Sequence, residues 1–544
     1  MKIKFCFAAL LLLLFSTSSF SQSPVWTRTY RSGTIDSGGL FKGGNQINQI
    51  IAHKGKLFAG NSDWCESDTI NNPPACEIVR LDGPAAQWEV DTIFTFPCYC
   101  SATTDSSFDI NVNAMKSFIF TTDHTGSPIT PDTLLIAAPG NYIHKPIVYI
   151  RDDAANTWTP SDIGGTLSSP FSCRSLGFHQ DSVSGTSCVF AGIENFGIVK
   201  GVYNTSFPGK IQWDSIPEVI PPIGERVMGF TVCNNILYAA SSHQQGGSAH
   251  IYERTDGVGS WALIDSLTDG TGEDIRGLSA IPNPAGTGQV LWYCWNSKSH
   301  RLDPFNAYAD TIEYAFPDSL IRYYLGIQVQ SVLAAYNANI IPFNIQNDSA
   351  DVRVFGFELR YDSAALVSSP RPNYYGFATD GRYWVRSQSG PSITYQMEYI
   401  VNNSPVIKDT LLSVRTLCVS PFASDSGEVL YGGGYDCDHI LADRKAWIYR
   451  GDFRASASNG VEEIKSTVLF SVYPNPVSYG NSFSISTSES GDILFYNALG
   501  QTIDERKLVQ DLNKINFSSD NEVVFYKARL QDGTTENGKL VFIR

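Results

Sequence analysis

The chain has 544 residues and carries 54 acidic against 39 basic side chains, a net charge of −15. An acidic excess of that size argues against nucleic acid and anionic lipid surfaces as general partners. Aromatic residues at 12%, with 45 glycines and 27 prolines, describe turn-rich β structure and exclude a mainly helical or disordered chain.

The N-terminus begins with the basic run Met1-Lys2-Ile3-Lys4, followed by an apolar stretch from Phe5 to Phe15 that contains five consecutive leucines. Ser19-Phe20-Ser21 then offers a small-x-small cleavage site before Gln22. This order predicts a signal peptide over residues 1–21. The apolar stretch falls well short of the roughly 20 residues that span a bilayer, so no membrane insertion is expected. Cys6 lies inside it, and its loss leaves ten cysteines, an even number. In an exported protein that predicts disulfides. The spacings of Cys65 and Cys76, Cys173 and Cys188, and Cys418 and Cys437 suit bridged hairpins or loops. Cys233 and Cys294 would join neighbouring repeats, while Cys98 and Cys100 are too close to bond to each other. Cysteines this scattered do not form a zinc site, and neither a metal nor a cofactor is predicted.

From residue 22 to 455 a short-strand grammar recurs. Its clearest copy is Arg226-Val227-Met228-Gly229-Phe230, a turn at Asn234-Asn235, a strand from Ile236 to Ala240, and Trp261. Arg174-Ser175-Leu176-Gly177-Phe178 opens another copy, followed by Trp213. Asn373 to Phe377, with a turn at Asp380-Gly381 and a strand from Arg382 to Val385, gives a third. Arg276 and Arg415 open shorter variants, and Asn45 to Ile51 and Asn111 to Ala114 open earlier ones that lead to Trp88 and Trp158. Arg174, Arg226 and Arg276 stand 52 and 50 residues apart. A period near 50 built from short strands predicts a β-propeller, all-β, with seven blades favoured and eight also compatible. Val25 to Tyr30 would pair with the last blade to close the ring. Residues 318–370 read as a degenerate blade or an insertion. Each tryptophan would pack between blades. A row of immunoglobulin-like sandwiches is the rival architecture, but it does not account for an even arginine-containing period.

Repeat-equivalent arginines would converge on the mouth of the central channel. Arg174, Arg226, Arg276 and Arg415 are therefore the ligand-binding candidates, able to grip a carboxylate or sulfate. Their alternative role is structural, clamping the neighbouring blade. Enzyme readings have less to draw on, and no catalytic residue is assigned. Thr255-Asp256-Gly257 with Trp261 is a loose relative of the sialidase Asp-box, with Val258 where that box has glycine. A polysaccharide lyase would need a base such as His124, His144, His179 or Tyr203. Asp436, Asp438 and His439 hint at a cation but lack the full oxygen set for calcium. The expected function is a non-catalytic glycan- or protein-binding module; the alternative is a lyase or glycosidase acting on anionic extracellular polysaccharide.

Residues 456–460 are small and polar, a linker. Beyond them come Tyr473-Pro474-Asn475-Pro476, then Tyr496-Asn497 with Gly500, and finally Gly538-Lys539-Leu540-Val541. In this order and spacing, residues 461–544 resemble the type A C-terminal sorting domain of the type IX secretion system (Por secretion system) of Bacteroidetes-like bacteria. Val523-Val524-Phe525-Tyr526 stands where that family often has Gly-Val/Ile-Tyr. The resemblance implies a small immunoglobulin-like β-sandwich that is cut off after export. It implies the secretion machinery and a sortase as partners, and a secreted or cell-surface location. It covers none of the preceding cargo, which resembles no identified family. Asp-Ser and Asp-Thr pairs, among them Asp68-Thr69, Asp132-Thr133 and Asp214-Ser215, resemble O-glycosylation acceptors of such bacteria. The same pairs also start turns before strands.

Overall fold

The computed structural model describes residues 24–44, 46–62, 76–94, 111–140, 146–163, 172–243, 247–268, 274–316, 329–334, 340–343, 350–361, 376–377, 381–400, 413–435, 446–454, 470–473, 477–478, 482–487, 490–497, 499–509, 511–516, 523–531 and 535–543. Outside them lie the predicted signal peptide 1–21, Cys6, Asn45, Cys65, Thr69, Cys98, Cys100, His144, Asn373, Asp436 to His439, the linker 456–460 and Pro474 to Pro476. Contacts divide the chain into two units, Met1–Ala457 and Ser458–Arg544. Among the described residues no helix is long and apolar enough to cross a membrane.

In the first unit, strands taken in chain order assemble into antiparallel sheets. The first sheet holds Gln46–His53, Lys56–Ser62, Glu77–Leu81 and Glu89–Ile93, and the second Asn111–Thr122, Pro128–Gly140, Ile147–Asp152 and Thr157–Asp162. The third holds Cys173–Gln180, Ser187–Ile193, Gly197–Tyr203 and Ile211–Trp213, and the fourth Glu225–Cys233, Ile236–His243, Ala249–Thr255 and Ser260–Leu267. The fifth holds Arg276–Pro282, Gln289–Trp295, Lys298–Asp303 and Ala309–Ala315. In the sixth, Val329–Ala334, Asp351–Tyr361, Arg382–Ser389 and Ser392–Tyr399 are joined by short additions. The seventh takes Ser413–Val419, Val429–Tyr435 and Ala446–Asp452, and its outer strand is Val25–Arg31 from the other end of the unit. Val25 lies opposite Asp452 and Arg31 opposite Trp447, so the expected pairing with the last repeat is present. The pair Tyr435–Gln46 joins this sheet to the first.

Local sequence explains these elements. Asn234 and Asn235 have φ of 50° and 64°, the conformation of a two-residue hairpin turn, which asparagine tolerates better than most residues. The second strands are apolar on both faces, and every residue of Ser187–Ile193 is buried. Such a strand needs cover on each side, and the neighbouring sheets supply it. One core joins Phe58 and Ile78 of the first sheet to Met115 and Leu135 of the second. Others join Ile136 to Val189, Phe190 to Val227, Tyr238 to Leu291, and Trp292 to Phe355. Val385 meets Leu417, and Tyr431 of the seventh sheet meets Leu57 of the first. Each cluster therefore lies between successive sheets, with the last against the first. The architecture is propeller-like.

One repeat boundary differs from the sequence reading. Gly376–Phe377 is a two-residue strand paired with Arg360 and Tyr361, and does not open a repeat. The sixth sheet begins earlier, at Val329, inside the segment read as degenerate. Arg382–Ser389 is its third strand, lying between Asp351–Tyr361 and Ser392–Tyr399.

The second unit has a three-stranded sheet, Phe470–Tyr473, Ser482–Thr487 and Asp511–Asn516. A second sheet runs Val477–Ser478, Thr535–Ile543, Val523–Leu530, Gly491–Tyr496 and Thr502–Leu508. Phe483, Ile485 and Ile515 from the first pack with Ile493, Phe495, Val524 and Leu540 from the second in one core.

Candidate axial site

The first strands of the first five sheets lie side by side, and that of the seventh lies against that of the first. Most carry a bulge near the start. One extra residue sits between Ile47 and Gln49, between Val112 and Ala114, between Cys173 and Ser175, between Val227 and Gly229, and between Val414 and Thr416. In the fifth sheet the irregularity falls between Arg276 and Ser279. These bulges set the register. Asn48, Asn113, Arg174 and Arg415 are the inserted residues and so occupy equivalent places. Arg226, opposite Ser242, and Arg276, opposite Cys294, stand earlier in their strands, level with Gln46 and Asn111. The four arginines expected to form one array thus form two tiers. Counting along the sequence could not reveal this, because a bulge shifts pairing without changing the Arg-x-x-Gly-Phe spacing.

All four are buried, at 1% exposure for Arg174, 3% for Arg226, 7% for Arg276 and 4% for Arg415. Glu194 directly follows the second strand of the third sheet and accepts from both sides: Arg226 Nε donates to Oε1 at 2.6 Å and Arg174 Nη2 to Oε2 at 3.4 Å. Arg174 also donates to Asn113 Oδ1 of the preceding sheet at 3.3 Å, and Arg415 donates to Asn48 Oδ1 of the following one at 3.1 Å. Asp274 receives Arg276 Nη2 at 2.5 Å and Ser242 Oγ of the fourth sheet at 3.0 Å. Each of these contacts except Arg276–Asp274 and Arg174–Glu194 spans two sheets. Guanidiniums already bonded to buried acceptors act as inter-sheet clamps, and an incoming anion would have to compete with Glu194 and Asp274. Nearby, Glu225 accepts from Ser241 and, at 3.1 Å, from Ser248.

At the other end of the first strands the histidines are also engaged. His53 stands 2.8 Å from Ser117 Oγ through Nδ1 and 3.0 Å from Asp153 Oδ2 through Nε2. Burial lowers its pKa more than Asp153 raises it. Burial pushes the Asp153 carboxyl up, yet hydrogen bonds from Lys54, His53 and Arg151 outweigh this and hold it at about 2. His179 repeats the arrangement in the next sheet pair, 2.9 Å from Asp256 Oδ2, which Ser182 Oγ also contacts at 2.8 Å. Of the residues weighed as lyase bases, His179 is therefore a buried clamp, and Tyr203 donates to Asp132 at 2.9 Å. His124 lies in an exposed turn. Asp256, the Asp-box relative, serves the same clamp.

A pattern not picked out in the sequence governs the rim. Arg151, Arg254 and Arg450 each open an Arg-x-Asp run, and the first two are followed by Trp158 and Trp261. Arg151 Nε donates to Asp91 of the preceding sheet at 3.0 Å, and Arg254 Nε to Glu218 at 2.9 Å. Trp158 and Trp261 donate to the same two carboxylates at 2.8 and 3.0 Å. Trp213 donates to Ser161 and Trp88 to Thr29. The Arg-x-Asp-to-Trp spacing was the signal available for finding it.

The expected Cys173–Cys188 bridge is absent. Cys173 lies opposite Ile193 and Cys188 opposite His179, at opposite ends of one hairpin. Burial pushes both thiols up to about 12. Cys233 adjoins the Asn234 turn, which bonds to Gln289, whereas Cys294 lies five residues further along that strand. At about 3.3 Å per residue they are too far apart to bond. Cys76 is buried and Cys418 half-buried, and their proposed partners Cys65 and Cys437 are outside the described residues.

In the second unit, Tyr473 ends the strand Phe470–Tyr473, and Tyr496 ends Gly491–Tyr496. Asn497 caps the following turn, its Oδ1 accepting from the backbone of Leu499 and Gln501 at 3.0 Å. Gly500, with φ of 78°, closes that turn. Gly538 lies opposite Tyr526, where an added Cβ would come within 2.3 Å of the phenol oxygen. Lys539 follows in the same strand.

No family model matches the chain, and no curated protein matches it. Among solved structures, PorZ, an essential surface component of the type IX secretion system of Porphyromonas gingivalis, aligns with a TM-score of 0.28 at 15% identity. That alignment covers 94% of this chain and 67% of PorZ. A fungal alcohol oxidase of the AA5 family, in complex with copper, aligns with a TM-score of 0.40 at 10% identity, covering 96% of this chain and 100% of its own.

Proposed function

We propose that residues 22–455 form a closed seven-bladed β-propeller that binds a glycan or a protein, without catalysis, at the axial end where its first strands begin. The observation carrying this reading is the polar set gathered there from successive sheets: Gln46, Asn48, Asn111, Asn113, Arg174, Arg226, Arg276 and Arg415, all buried. In this reading Arg174, Arg226, Arg276 and Arg415 shape the mouth of the site through their inter-sheet bonds. The protein is secreted or held at the cell surface. Residues 461–544 form an immunoglobulin-like sandwich addressed to the type IX machinery and a sortase, through the motif residues Tyr473, Tyr496, Asn497, Gly500, Gly538 and Lys539 with Pro474 to Pro476.

Incubating the full chain with an array of neutral and acidic glycans tests the binding reading. Retention without product is expected, and unsaturated or new reducing ends would establish the enzyme reading instead. Deleting residues 461–544 should leave the cargo in the periplasm; normal surface display of the truncated chain would overturn the sorting assignment.

A further inference from the structure

His53 joins a serine to an aspartate. Its Nδ1 lies 2.8 Å from Ser117 Oγ and its Nε2 lies 3.0 Å from Asp153 Oδ2. Asp153 is held in turn by Lys54 Nζ at 2.7 Å and by Arg151 Nη1 at 2.5 Å. An ionised carboxylate can only accept, so Nε2 carries the proton and Nδ1 turns a lone pair toward the Ser117 hydroxyl. The Phe58 ring meets the imidazole edge-on, with centroids 5.9 Å apart.

His179 supplies the comparison. It stands four residues beyond Ser175 as His53 stands four beyond Gln49, and it bonds to Asp256 as His53 bonds to Asp153. The His–Asp contact therefore serves as a clamp in two sheet pairs. The place of Ser117, opposite Leu135, is taken in the fourth sheet by Val232, opposite Leu237. A clamp needs no serine there; at His53 a hydroxyl has been added on the accepting nitrogen. Exposure separates the two groups as well. His53 is 2% exposed, whereas Ser117 is half-buried, and Ile119, two residues on along the same strand face, is 54% exposed. The base is covered and the face carrying the serine opens toward solvent.

We propose that Ser117 is a nucleophile, with His53 as its base and Asp153 orienting that base, and that it transfers short acyl groups from carboxylic esters to water. This goes beyond the binding reading and is independent of it, since the serine lies toward the other end of the first strands from the axial set. Ser117 Oγ attacks the ester carbonyl carbon while its proton passes to His53 Nδ1. The tetrahedral adduct expels the alcohol, which takes that proton, and the acyl group stays on Ser117. Water then attacks the acyl carbon and gives one proton to Nδ1. Ser117 leaves with that proton as the free hydroxyl, and the carboxylic acid is released. Ile119 supplies an apolar side for the acyl chain, and a half-buried Ser117 admits a short one.

The test treats the full chain with a fluorophosphonate probe and with p-nitrophenyl acetate. The probe should modify Ser117, read by peptide mapping, and each chain should turn over the ester more than once. Ser117→Ala should lose both while melting at the parent's temperature. His53→Gln should slow labelling at least about 100-fold. Protonating His53 ends the activity, so the rate should fall in acid, below the ordinary imidazole range. Burial opposes that protonation most, Asp153 favours it, and Lys54 and Arg151 oppose it. In Asp153→Asn the acid limb should therefore move to lower pH, a shift that a purely structural partner would not produce. Ser117→Cys, close in size, covers the case of an alanine variant that fails to fold. Iodoacetamide should alkylate its introduced thiol at about pH 6, well below the ordinary thiol pKa of about 8.5. No label on Ser117, turnover that Ser117→Ala retains, or a thiol inert at that pH would overturn the proposal and leave His53 as a second clamp. Release of a short acid leaves a glycan backbone uncut, so this activity and binding on the glycan array are scored separately.

Discussion

Trp158 donates its indole N–H to Asp91 at 2.8 Å, reaching from the outer strand of the second sheet to the outer strand of the first. Asp91 also accepts from Arg151 Nε at 3.0 Å and from Arg80 of its own sheet. The sheets are thus tied at the perimeter by buried charge as well as by the apolar cores between them. Removing the acid breaks the buried inter-sheet pair and leaves Arg151 only Asp153 and Asn156 of its adjoining turn, whereas removing the indole donor deletes one bond of several. Asp91→Ala should cost about 3–5 kcal/mol and Trp158→Phe about 1–2 kcal/mol in chemical denaturation. Equal losses would mean that the charge is not what ties the rim.

Glu194 sets the corresponding test at the axial end. Glu194→Ala removes the one carboxylate that both Arg174 and Arg226 meet in a buried setting, while Arg174 keeps its bond to Asn113. A loss of several kcal/mol is expected. Charge reversal at Arg226 together with Arg276 should be worse, since it sets new carboxylates against Glu194 and Asp274. A double variant that melts like the parent would show that these arginines are dispensable for folding and free to bind ligand.

The seam between the seventh and first sheets carries a proton-sensitive group. Glu77 is fully buried, and Asn61 Nδ2 donates both to its Oε1 at 2.7 Å and to Tyr30 Oη at 2.8 Å. Burial raises the Glu77 carboxyl from its usual 4.5 to about 7, against the bonds from Asn61, Gly43 and Tyr30. A carboxyl raised on folding favours the folded state most below its unfolded pKa, and that contribution fades as pH climbs toward the folded value. Stability should therefore fall by about 3 kcal/mol between pH 4.5 and 7 on account of this residue. Denaturation curves of Glu77→Gln across that window should lack this component; an unchanged slope would refute the assignment.

Cys173 and Cys188 should both appear as thiols in peptide mapping of the folded protein under non-reducing conditions. Maleimide should label them only after denaturation, because both are buried. A disulfide-linked peptide containing both would contradict the register of their hairpin.

Much of this fold was legible before any coordinates. Gly177 marks a close approach, since a Cβ there would fall 2.6 Å from the Phe230 ring of the next sheet. The tryptophans do pack between sheets, and Val25 to Tyr30 does lie on the last one. What sequence spacing could not convey was pairing register. Arg174 and Arg226 look alike in the chain, but bulges at different places put one level with Asn113 and the other level with Asn111. Cysteine count misled for a related reason: Cys173 and Cys188 are close in number, yet an antiparallel hairpin sends residues fifteen apart to opposite ends. The Arg-x-Asp runs were visible throughout, but the Asp91 and Glu218 partners of Arg151 and Arg254 precede the sheets those arginines belong to.

Val25–Arg31 completes a sheet whose other strands end at Asp452. A chain made from its N-terminus therefore holds its first described strand unpaired until more than four hundred further residues exist. Loop closure across such a length is slow. During that interval the edge of Val25–Arg31 is open to pairing with other chains. Holding the nascent chain apart from its copies until its last strands emerge becomes a condition of its yield.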